Sequence, residues 1–202
     1  MNRILKTLLE ADGFFILAAG LLGPIYAIFV ERIGGNILDA GGAYAAFALA
    51  SGTLLFLISR WEDHIKHKEK IVVLGYGLGS VGILGYLFIS SPIHLFVVQA
   101  ILGVAEAIIY PAYDALYSVC LDRGKFASEW GLYESMRAII TAIAALSGAF
   151  VAELFGFNSL FMIMFIFSLA GLFISMRLFF IKTAKSEFAS KRVGIRKRVA
   201  TA

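Results

Sequence analysis

Catalytic hardware is what this chain lacks. It contains no Ser/His/Asp set, no paired catalytic aspartate motif, no Cys/His metal box and no membrane phosphotransferase pattern of repeated aspartates. An enzyme is therefore not expected, and neither is a cofactor or a bound metal. The single cysteine, Cys120, excludes an intramolecular disulfide and gives no sign of an oxidising compartment. Charge is scarce as well: Asp, Glu, Lys and Arg make up only 16% of the 202 residues. What fills the space is apolar. Hydrophobic residues reach 60%, against ~45–50% in soluble domains, and the mean hydropathy is +0.85. That is the composition of an integral membrane protein, with the lipid bilayer as its surroundings.

A hydrocarbon core of ~30 Å takes roughly 20 apolar residues per helix. That ruler predicts an all-α bundle of six transmembrane helices within 1–180, at about 13–30, 40–58, 71–89, 93–119, 131–155 and 159–180, and a basic tail over 181–202. Long and short connections alternate, and the positive charges alternate with them. Arg3 and Lys6 precede the first span, Arg60, Lys66, Lys68 and Lys70 follow the second, and Arg123 and Lys125 follow the fourth. Arg177, Lys182, Lys185, Lys191, Arg192, Arg196, Lys197 and Arg198 follow the sixth, which makes sixteen on one side against Arg32 on the other. The positive-inside rule then predicts a multi-pass inner-membrane protein with both termini cytoplasmic.

The basic residues bear two further readings. Arg3 and Lys6 could form the n-region of a cleaved signal peptide, but Glu10 and Asp12 interrupt it and the apolar run is long enough to span. The tail cluster KRVGIRKR suits an anionic lipid surface better than nucleic acid, and no nucleic-acid partner is expected. His64 and His67 stand at metal-binding spacing beside Asp63, yet in a loop this charged they read as a solvated basic surface.

The spans differ in what they offer for packing. Gly75, Gly79 and Gly82 share a face of the third span, with Gly85 close by, so a neighbour can approach closely. The second span does the same with Gly41, Gly42, Ala45, Ala46 and Ala48, whereas the first and sixth, rich in Phe, Leu and Ile, suit lipid. GYGLGS in the third span is no phosphate loop, because it lies inside an apolar run and not at a strand-to-helix turn.

The fourth span holds the chemistry. Within QAILGVAEAIIYPAYDALY, Gln99, Gly103, Glu106, Tyr110, Tyr113, Asp114 and Tyr117 fall on one arc of a helix, opposite Ile101, Val104, Ile108 and Ala115. Glu106 lies near the midplane, where a carboxylate costs ~2.5–3.5 kcal/mol on insertion scales. It should therefore face a cavity or a partner, and a carboxyl there can trade a proton for a solute as access alternates. The alternative is a permanently protonated Glu bonded to a neighbouring helix. Pro111 frees the Ala107 carbonyl and is expected to bend the span. Asp114, near the inner end, falls level with Arg137 of the fifth span, and Glu134 lies one turn from Arg137, so the spacing predicts a charge cluster at the inner mouth. Gln99, Glu106, Tyr110 and Tyr113 are the expected solute- and proton-binding residues. With carboxylates, phenols and no midplane cation, the pocket leans towards neutral or cationic solutes. Glu10 and Asp12, at the inner end of the first span, are expected to be solvated, though Asp12 could reach the cavity mouth.

Three segments carry a family resemblance. Ser59–Lys68, between the second and third spans, resembles the G-x-x-x-D-R-x-G-R-K loop motif of the major facilitator superfamily, with Asp63 and the terminal basic pair kept. Gln99–Gly103 resembles its R-x-x-Q-G signature, with Gln99 in place of the arginine. Gly156 and Phe157 resemble the G-W-R-x-x-F segment that begins its sixth helix, with Asn158 replacing the arginine. The resemblance implies one half of a twelve-helix transporter, itself a 3+3 inverted repeat, working by alternating access. Pairing with an identical copy, or with another six-helix half, would restore twelve helices. The resemblance also implies that Asp63, with Asp114, Glu134 and Arg137, latches the inner side, where a plain salt bridge accommodating Arg137 is the other reading. A carrier of a small-molecule substrate is the leading expectation. A non-transporting scaffold or partner subunit, or a truncated inactive half, is the alternative.

Overall fold

In the computed structural model the described residues are 3–62, 65 and 67–180, the side chains of 60–62 excepted. They form an all-helical bundle: α1 (Arg3–Gly20), α2 (Tyr26–Arg32), α3 (Ile37–Glu62), α4 (Lys68–Gly85), α5 (Pro92–Cys120) and α6 (Phe126–Met176). Five segments are long and apolar enough to cross a membrane: Arg3–Arg32, Ile37–Ser59, Lys68–Phe88, Pro92–Cys120 and Phe126–Phe179. The first joins α1 and α2 through a short 3-10 turn at Gly23–Ile25, where Pro24 withholds a backbone donor. Asn36 starts α3 by accepting from the backbone N–H groups of Leu38 and Asp39, at 2.8 and 3.2 Å, while Asp39 accepts from the Asn36 N–H at 2.8 Å. α5 remains helical through Pro111.

The last segment is not one rod. Its 54 residues would reach ~81 Å as a single helix, far beyond a ~30 Å core. Gly156, at φ 79° and ψ 169°, is its one non-helical residue. The contacts on α1 show the chain reversing there. Gly13 faces the Ile140 side chain, and Gly171 faces the Ala11 carbonyl. Positions 140 and 171 would lie ~46 Å apart on a continuous helix, yet both touch the same turn of α1. α6 therefore packs as two antiparallel arms, 126–155 and 157–176. Just past the reversal the chain packs on aromatic rings, with Phe29 4.9 Å from Phe161 and 5.3 Å from Phe157, and the Arg32 guanidinium 5.5 Å above Phe157.

The backbone of Gly156 lies in a region open essentially to glycine alone. A Cβ there would meet nothing within 4 Å, so any penalty for Gly156→Ala is purely conformational, about 1–3 kcal/mol. A lower thermal midpoint in detergent, with normal expression, is the expected result.

Packing corrects two expectations. The α4 glycines do accept neighbours: Gly75 faces Ile109, Gly82 faces Leu102 and Gly85 faces Val98 of α5, while Gly79 faces Phe15 of α1. α3 does not mirror this. Gly42 faces Phe96, but Gly41 and Gly52 meet nothing, and Ile37, Leu38 and Phe56 are largely exposed. Conversely α1, expected against lipid, is a core helix. Ile4, Leu5, Leu8, Leu9, Ala11 and Ala18 are buried, because both arms of α6 and α4 close around it. Apolarity alone does not separate a lipid-facing helix from a central one, since both environments exclude water.

Candidate functional site

The helices enclose a cavity of about 520 Å³, within the range of small-solute sites. α1 contributes Asp12 and Phe15, α3 Tyr44 and Phe47, α4 Tyr76 and Ile83, and the arms of α6 Tyr133, Arg137 and Met164. α5 contributes Gln99, Glu106, Tyr110 and Tyr113, and Tyr26 of α2 lies against it too. α5 can present its polar stripe because its small residues let neighbours approach. Gly103, in the middle of the stripe, lies directly under the Phe47 carbonyl of α3.

Gln99 is buried and has the Tyr26 hydroxyl as its polar neighbour. Glu106 is half-buried beside Ser51 of α3. Arg137 reaches across to the same wall: it donates from Nη1 to the Tyr133 hydroxyl at 3.0 Å and from Nη2 to the Tyr110 hydroxyl at 3.3 Å. Its guanidinium also lies 5.4 Å from the Tyr133 ring centroid, within cation–π range. The cavity therefore does contain a cation, contrary to the expectation from spacing. Counting along the fifth span placed Arg137 at the inner mouth, but its long side chain carries the charge to the level of Tyr110.

The expected Asp114–Arg137 ion pair is not formed. Elsewhere Lys6 pairs with Glu10 at 3.7 Å, and His67 Nδ1 lies in hydrogen-bond contact with Glu69 at 2.9 Å. Two phenols occupy the guanidinium, and Asp114, which does not line the cavity, interacts with it only through space, as do Asp12 and Glu106. Glu134 is exposed on the 126–155 arm and also lies off the cavity wall. Asp63 and His64 lie outside the described residues, as does the basic tail. Tyr117, on the predicted stripe, points to the end of the bundle where α6 begins, and its hydroxyl donates to the Glu129 carbonyl at 2.6 Å.

The residue that spacing undervalued is Asp12. A ruler set on uncharged residues put it at the inner end of a span, with solvation as the default and the cavity mouth within reach. The helix begins at Arg3, which carries Asp12 ~14 Å further along. There the Tyr76 hydroxyl donates to its Oδ1 at 3.0 Å, and its Oδ2 is buried and makes no hydrogen bond of ordinary length and angle among the described residues. Tyr76 is itself fully buried, with the Phe15 ring 4.8 Å away. The available sequence signal was an acid within a helix whose face Ile4, Leu5, Leu8 and Leu9 already marks as buried.

The chain also has sequence relatives among known proteins. An uncharacterized MFS-type transporter of Bacillus subtilis, YitZ, is 26% identical over 144 residues, covering 71% of this chain and 87% of the relative. An uncharacterized MFS-type transporter of Methanocaldococcus jannaschii is 24% identical over 141 residues, covering 70% of this chain and 36% of the relative. The multidrug resistance protein MdtG of Escherichia coli is 22% identical over 151 residues, 72% of this chain and 37% of the relative. The matched stretch thus spans little more than a third of the latter two proteins. The family model for the Major Facilitator Superfamily matches residues 13–201, and the chain belongs to that superfamily.

Proposed function

We propose that the protein is a secondary, proton-coupled carrier of a small solute, working by alternating access as one of two paired six-helix halves in the cytoplasmic membrane, with both termini inside. The observation that carries this reading is the cavity, because it gathers Glu106, Gln99, Tyr110, Tyr113 and Arg137 inside a membrane bundle. Ionisable side chains at that depth are costly and mark solute and proton pathways. In this reading Glu106 carries the proton, and Gln99, Tyr110 and Tyr113 bind solute. Arg137, with Asp114, Glu134 and Asp63, forms the inner gate.

Pairing is supported by what the single bundle leaves open. Glu134 is exposed on the 126–155 arm and Tyr110 on the cavity wall, and lipid would be a poor neighbour for that charge and that hydroxyl, a second bundle a good one. The test has two arms. Purified protein in proteoliposomes is expected to couple proton movement to a member of a solute panel, and a signal no greater than that of empty vesicles across the panel overturns the carrier. Cross-linking in native membranes is expected to trap a pair, with itself or another half, and a strict monomer overturns the twelve-helix arrangement.

A further inference from the structure

Three buried hydrogen-bonding side-chain atoms make no hydrogen bond of ordinary length and angle among the described residues: Asp12 Oδ2, near the Tyr133 phenol, the Tyr26 hydroxyl, near Gln99, and the Tyr113 hydroxyl. All three residues line the one cavity. A site built for transport leaves unmet those groups that its cargo will meet, since an unpartnered polar atom in a low-dielectric interior is costly. The missing partners also have a chemistry. A carboxylate oxygen only accepts, so Asp12 Oδ2 calls for a donor. Arg137 does not supply it, because its guanidinium is turned to the Tyr133 and Tyr110 hydroxyls and acts on Asp12 only through space.

We propose that the Asp12 end of the cavity is an ammonium site, which takes the protonated amine of an apolar-bodied solute through N–H donation to Asp12 Oδ2. The proposal deepens the carrier reading and rests on this cavity being its solute site. The ring faces around Asp12 suit such a head group. Phe15 lies tilted against Tyr76 at 4.8 Å, and Tyr113 against Tyr133 at 5.6 Å, so a cation seated at this end has aromatic rings for neighbours. Phe15, Ile83, Leu102 and Ile109 supply apolar wall for the rest of the molecule. An anionic head is disfavoured there, because two carboxyl side chains, Asp12 and Glu106, line the cavity against one cation, Arg137, whose guanidinium is already turned to two phenols. The far end, at Tyr26 and Gln99, offers a second polar contact.

The probe is naphthylhexylamine, with its N-acetyl derivative as the uncharged counterpart, titrated by fluorescence into protein-loaded nanodiscs against empty discs of the same lipid. Saturable binding of the amine is expected. Acetylation or Asp12→Asn should weaken it about ten- to a hundredfold, the loss of a hydrogen bond to a charged group. Equal binding of the acetylated probe, or an unchanged Asp12→Asn protein, overturns the site. If that variant does not fold, the unaltered protein decides: the amine should protect Asp12 from carbodiimide labelling, read by peptide mass, and unprotected labelling overturns the site. The two readings stay apart, because saturable binding that Asp12→Asn weakens supports the ammonium site whether or not the amine is moved, while the carrier stands or falls with the solute panel.

Discussion

Glu106→Gln is expected to bring solute-coupled proton movement down to the leak of protein-free vesicles while the protein stays folded. Glutamine keeps the length of the side chain and can still hydrogen-bond with Ser51, the polar neighbour of Glu106 on α3. What it loses is the exchangeable proton. A merely structural Glu106, protonated throughout and bonded to its neighbour, would be replaced by Gln without consequence for flux. The two roles therefore give opposite results in one assay.

Stability supplies the second half of the same test. A carboxylate near the centre of a bilayer costs ~2.5–3.5 kcal/mol on insertion scales, and the neutral amide avoids the charged state altogether. The thermal midpoint of Glu106→Gln in detergent should therefore equal or exceed that of the unaltered protein. A variant that loses flux and also melts early has lost its structure, and says nothing for the proton. A variant that keeps both flux and midpoint removes Glu106 from the mechanism.

The site was legible in the sequence wherever one helix carried it. Gln99, Glu106, Tyr110 and Tyr113 share an arc of α5 by the geometry of a helix alone, and all four line the cavity. What depends on where another helix begins, or on how far a side chain reaches, was not legible. Asp12 looked solvated because apolar runs show the ends of hydrocarbon and not the ends of helices, and α1 extends back to Arg3. Arg137 looked like the partner of Asp114 because depth was counted by Cα, whereas its guanidinium chose two phenols. The all-helical architecture followed from composition, but which helix lies at the centre did not. α1 and α3 are both greasy, and only tertiary packing makes one core and the other periphery. The reversal at Gly156 stood between the two in difficulty. A 54-residue apolar segment must break somewhere, and glycine followed by Phe157-Asn158 marks a place, but nothing local requires the positive φ found there.

Gly148→Ala should be among the most damaging single-methyl changes in the chain, because α1 and the 126–155 arm of α6 meet there backbone to backbone. A Cβ on Gly148 would fall on the Leu21 carbonyl, 2.6 Å from its carbon and 2.7 Å from the Leu21 Cα. None of these atoms belongs to a side chain, so no rotamer change relieves the clash, and the helices must separate just where α1 ends at Gly20. Overpacking of this kind costs about 1–3 kcal/mol and more when the backbone must move. For a chain of this size that is a fall of about 2–12 °C in thermal midpoint. Gly148→Leu should yield no monodisperse protein. Gly52→Ala is the matched control, a helical glycine whose added methyl meets nothing within 4 Å, and it should gain about 0.5–1 kcal/mol from its better helix propensity. The pair isolates contact from propensity. If Gly148→Ala melts no earlier than Gly52→Ala, α1 does not rest on α6 at Leu21, and the wall that α1 lends to the cavity through Asp12 and Phe15 is misplaced with it.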